Sequence, residues 1–86
     1  MDEIFEVDAL EAYIILKHKK PFGRYWMINE TKFTAIDNSR GETLVEDFDE
    51  KENMMQWFEL DYADRFAKQM SKEAGLIRDS YDGILI

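Results

Sequence analysis

Residues 24–48, RYWMINETKFTAIDNSRGETLVEDF, decide the fold. From Arg24 the pattern has period two, with Tyr25, Met27 and Asn29 on one face and Trp26 and Ile28 on the other, and its aromatic content suits a strand. NETK is polar and of hairpin length. KFTAID resumes the alternation, placing Phe33 and Ala35 opposite Thr34 and Ile36. NSRG reads as a second hairpin turn, since Asn38 and Gly41 are the residues there that best tolerate left-handed backbone. ETLVEDF completes a third strand, so the stretch predicts a three-stranded antiparallel meander.

Upstream, DALEAYIILKH (8–18) begins with Asp8 at an N-cap position and Glu11 three residues on, the spacing of a capping box. Leu10, Tyr13, Ile14 and Lys17 follow helical spacing, which predicts a helix, although β-branched Ile14 and Ile15 leave a strand open for its second half. Pro21 and Gly23 end it. Downstream, Asp49 with Glu52 forms a second candidate capping box. Met54, Met55, Trp57, Phe58 and Tyr62 then follow helical spacing, and Phe66, Ala67, Met70 and Ala74 extend the stripe. Leu60 and Asp61 mark a bend, with Asp61 capping a new helix, and Gly75 is a helix stop. Ile84 to Ile86 reads as a short final strand. The expected architecture is α+β in one domain, 1–86: an N-terminal helix, the antiparallel meander, and a C-terminal helical region packed on one sheet face.

The composition narrows the chemistry. A chain of 86 residues, 45% hydrophobic and 14% aromatic, has the makings of one core and little to spare for a deep pocket. Trp26, Trp57, Phe58 and Phe66 are therefore read as core. With no cysteine and one histidine, His18, thiolate metal sites, disulfides and cysteine nucleophiles are ruled out. There is no phosphate-binding glycine loop and no nucleophile elbow around Ser39, Ser71 or Ser80. The acidic segment 37–48 fails the calcium-loop template: counted from Asp37, the sixth residue is Glu42 and the twelfth is Phe48, where glycine and glutamate are needed. The reading is of a protein that is not an enzyme and holds no cofactor or metal. The acidic N-terminus and the lack of any long apolar run predict a soluble, cytoplasmic protein without a membrane partner.

Nineteen acids oppose eleven bases, a net charge of −8, so the chain's field repels nucleic acid and attracts basic partners. The basic segment KHKKPFGRYW (17–26) is accordingly read as a solvated loop, not a nucleic-acid patch. The acids are clustered. Glu46, Asp47, Asp49, Glu50, Glu52, Glu59, Asp61 and Asp64 stand against Lys51 alone, while Asp2, Glu3, Glu6, Asp8 and Glu11 precede any base. Part of this is what helix N-termini favour. The sharper reading is a surface on which the first eight act as phosphate surrogates, with Glu3, Glu6 and Glu11 as a second patch. Such a surface would occupy a basic, nucleic-acid-binding site on another protein by charge complementarity. The alternative is a small structural or regulatory module, homodimeric through an apolar patch of Met54, Met55, Trp57 and Phe58.

The segment FTAIDNSRGETLVEDFDEKENMMQWF (33–58) resembles small proteins encoded by phages of Gram-positive bacteria. In these a strand, an Asp-Asn turn with a glycine, a Val-Glu-x-Phe-like strand end and a Trp-bearing helix follow one another. By size and acidity the chain is similar to phage host-takeover proteins that inhibit host factors, some by imitating DNA. That resemblance implies a host DNA-binding protein as partner, such as histone-like HU, and a location in the host cytoplasm.

Overall fold

The computed structural model describes residues 3–75. The elements run β1 (Ile4–Glu6), α1 (Ala9–His18), β2 (Arg24–Asn29), β3 (Lys32–Asp37), β4 (Leu44–Phe48), α2 (Lys51–Phe58) and α3 (Tyr62–Glu73). The α+β class and the meander are as the alternation dictates: β2 pairs antiparallel with β3, and β3 with β4, with Tyr25 opposite Ile36 and Ile36 opposite Val45. The sheet itself departs from expectation. A fourth strand, β1, lies parallel to β2, so the sheet is mixed with order β1-β2-β3-β4, and α1 is the crossover of a βαβ unit. Three residues are too few to show a period, which is why β1 leaves no mark in the sequence.

Helix α1 begins where the capping box places it. The Glu11 amide donates to Asp8 Oδ1 at 2.8 Å, and the Asp8 amide donates to Glu11 Oε1 at 2.9 Å. It ends at Lys19, which takes the left-handed conformation (φ 59°) just before Pro21. The second expected capping box does not form. Asp49 pairs with Lys32 instead, and Glu50 occupies the N-cap of α2 without a side-chain bond to the helix. The C-terminal helical region is two helices with the bend at Glu59–Asp61, and Gly75 (φ +79°) follows the end of α3. Ile84 to Ile86 lie outside the described residues.

Alternation along the strands sends side chains to two different layers. On one face Tyr25 and Ile36 pack with Ala12 and Ile15 of α1. On the other, Trp26, Ala35 and Leu44 pack with Met54, Trp57 and Phe58 of α2, and Tyr62 and Phe66 of α3 close over them. Burying a side chain the size of Phe58 contributes about 2–3 kcal/mol.

The NSRG turn is built differently from its reading. Gly41 takes the positive φ (+104°), but Asn38 is fully buried and acts as a tether. Its Oδ1 accepts the Gly23 amide at 2.7 Å and its Nδ2 donates to the Pro21 carbonyl at 3.3 Å, fixing the loop before β2 to the end of β3.

Candidate acidic interface

One carboxylate of the central stretch is structural. Asp37, at the end of β3 beside the NSRG turn, has no accessible surface. Arg65 of α3, itself 5% exposed, donates through Nη1 to Asp37 Oδ2 at 2.9 Å, while the Ser39 hydroxyl and amide donate to Oδ1 at 2.6 and 3.0 Å. Arg24 Nε lies 3.7 Å from the same carboxylate. Burial pushes the Asp37 pKa up, but the Ser39 hydrogen bonds and then Arg65 outweigh it and hold it below its ordinary value. The Arg65 guanidinium also lies over the Trp57 ring, 4.5 Å from its centroid, and its Nε is buried without a hydrogen-bond partner. The signal for this site was the Asp37-x-Ser39 spacing of an Asx turn; nothing local pointed to Arg65, 28 residues away.

The eight central acids divide into two groups. Pleating sends Glu46 and Asp47 to opposite faces of β4. Glu46 is half-buried with Lys72 Nζ at 3.8 Å, Asp47 accepts the Thr34 hydroxyl at 2.6 Å, and Asp49 pairs with Lys32 at 2.7 Å. These three already have protein partners. Glu50, Glu52, Glu59, Asp61 and Asp64 are exposed, and among the described residues none has an ion pair.

Their positions follow from the ends of α2 and the start of α3, two helices that each pack on the sheet. Glu50 and Glu52 sit at the start of α2, and Glu59, Asp61 and Asp64 at its end and the start of α3. Eight helical residues at 1.5 Å each separate the two sets by about 12 Å. Lys51, the single base in this run, turns its ammonium onto the sheet, 4.6 Å from the centroid of Trp26, and leaves the acids unneutralised. Glu50 and Asp61 occupy N-cap positions without making a side-chain cap, and Glu59 sits at the C-terminus of α2, where the helix dipole disfavours a carboxylate.

The N-terminal acids are not brought alongside. Glu3 and Glu6 are exposed at β1, the sheet edge opposite β4 and about 14 Å from it at the usual strand spacing. Glu11 is engaged in the cap of α1.

A cleft of about 380 Å³ opens at the α2–α3 bend, lined in part by Arg24, Arg40, Arg65, Glu59 and Asp61. Of the three guanidinium groups in its lining, Arg24 and Arg65 are already engaged by the buried Asp37 carboxylate. Among the described residues no three of the His, Asp and Glu side chains are arranged to hold a metal ion, and no helix is long and apolar enough to cross a membrane.

The fold and surface define a small α+β protein in which the ends of α2 and the start of α3 carry exposed carboxylates without an ion pair among the described residues. No protein-family model matches the chain, and comparison with curated proteins and with solved structures finds no match.

Proposed function

We propose that this chain is a non-enzymatic binding protein of phage type that uses the acids of the α2–α3 segment to occupy the nucleic-acid site of a basic host DNA-binding protein, a histone-like protein such as HU being the natural candidate. The observation that carries the reading is the set Glu50, Glu52, Glu59, Asp61 and Asp64. All five are exposed and lack ion pairs among the described residues, and Glu59 stands where helix physics disfavours it. Glu50 and Glu59, at the two ends of α2, are separated by about 12 Å of helix, close to the ~12 Å width of the major groove of B-DNA. A groove lined by lysine and arginine at phosphate spacing is complementary to such an array.

The apolar-patch alternative loses its surface. Met54, Trp57 and Phe58 are in the core, and Met55 packs partly buried against it.

The test is competition. Wild-type protein is expected to displace duplex DNA from purified HU, with affinity falling about tenfold or more from low to high salt. The variant E50K/E52K/E59K/D61K, which alters exposed positions only, is expected to keep the wild-type circular dichroism and to lose displacement. Undiminished displacement by that variant would sink the reading.

A further inference from the structure

The outer face of α1 is apolar where a helix lying on a sheet is ordinarily polar. Ala12 and Ile15 face the core. At 100° per residue, Leu10, Tyr13, Ile14 and Lys17 form the opposite stripe, and Leu10, Tyr13 and Ile14 are 68%, 58% and 44% exposed. Leu16 on the flank is exposed as well.

The same helix is electrically polar along its length. Glu6, Asp8 and Glu11 stand just before or within its first turn, and Lys17, His18, Lys19 and Lys20 at or just beyond its last. A surface that completes α1 must therefore carry an apolar stripe, with basic groups at one end and acidic groups at the other, running in the reverse sense. The protein's own α1 meets that description.

We propose that α1 is the contact of an isologous homodimer, in which two copies pack α1 against α1 antiparallel about a two-fold axis near Tyr13 and Ile14. Tyr13 of each copy then meets Ile14 of the other, Leu10 lies under the aliphatic stem of Lys17, and the lysines at the end of one helix reach Glu6 before the start of the other. A parallel arrangement sets like charges side by side. An anionic lipid surface is disfavoured by the net charge of −8. The proposal goes beyond the acidic-interface reading and does not rest on it: α1 and the α2–α3 segment lie on opposite faces of the sheet, so the dimer leaves both acidic segments outward.

The experiment is solution mass by sedimentation equilibrium or light scattering on the full chain across a concentration series. Wild type is expected to reach twice its 10.3 kDa chain mass, and L10D/I14D, altered only at exposed positions, to remain monomeric with unchanged circular dichroism. Charge provides a test that a general loss of apolar surface does not mimic. K17E/K20E alone and E6K alone are each expected to dimerise more weakly than wild type, and their equimolar mixture to recover the dimer mass, because the reversed charge at position 6 of one copy then faces the reversed charges at 17 and 20 of the other. A wild type that stays monomeric at the highest concentration, a dimer that survives L10D/I14D, or a mixture that stays monomeric overturns the proposal.

Discussion

Asp37 and the carboxylates of the α2–α3 segment are the same chemical group in opposite circumstances. Asp37 is enclosed, hydrogen-bonded by Ser39 and paired with Arg65 and Arg24, so its charge is part of the packing between β3 and α3. Glu50, Glu52, Glu59, Asp61 and Asp64 are bathed in water and touch no cation among the described residues. A buried charge must have its partners or the fold loses several kcal/mol, whereas an exposed one contributes little to stability and remains free to act on something else. Stability rests on Asp37, and the recognition proposed above would fall to a different set of acids.

The largest effect that tests this contrast is at Asp37. Asp37→Ala strands the buried Arg65 guanidinium and is expected to cost about 3–5 kcal/mol in urea unfolding. The apolar replacement D37L/R65M is expected to recover much of it, since removing both charges removes both desolvation penalties. Equal losses for the single and double variants would show that the pair is not the source of the effect.

Acid titration isolates the same group. The folded pKa of Asp37 lies below its ordinary 3.8, so its stabilisation is fully present above that value and is lost as pH falls through the lowered folded value. Thermal midpoints followed downward past pH 3.8 are expected to show this loss in wild type and to lack its Asp37 component in D37L/R65M.

Asp8 is intermediate, exposed but committed to a cap. Asp8→Ala removes the side-chain half of the capping box, the acceptor of the Glu11 amide, and is expected to cost about 1 kcal/mol by the same unfolding measurement.

The smallest effect belongs to the α2–α3 segment. Glu59→Gln is expected to change stability by less than about 0.5 kcal/mol, and in the stabilising direction, because it removes a negative charge from the C-terminus of α2. A substantial loss there would assign Glu59 a structural role and weaken the division between the two kinds of acid.

Gln69 shows how tertiary structure gives work to a residue with no sequence signature. Its side-chain amide accepts the Val45 amide at 2.8 Å and donates to the Thr43 carbonyl at 3.0 Å, which is how a neighbouring strand would engage the edge of β4. A glutamine on a helix reads as surface, and only the packing of α3 beside β4 turns it into a cover for that edge.

By itself the sequence determined what depends on near neighbours. The period-two run from Arg24 specifies the three antiparallel strands, Asp8 and Glu11 start α1, Pro21 ends its region, and Leu60–Asp61 separates α2 from α3, because caps, turns and periodicity act within a few residues. The net charge and the clustering of acids were also plain. What only the tertiary structure decided involves partners far apart in the chain. The pairing of β1 with β2, the buried Asp37–Arg65 pair, the tether at Asn38, and the division of the acids into those already held and those left unpaired all belong to that set. Each is fixed by burial and by a charge or hydrogen-bond partner that arrives from another element, and a linear pattern carries no record of which residues will meet.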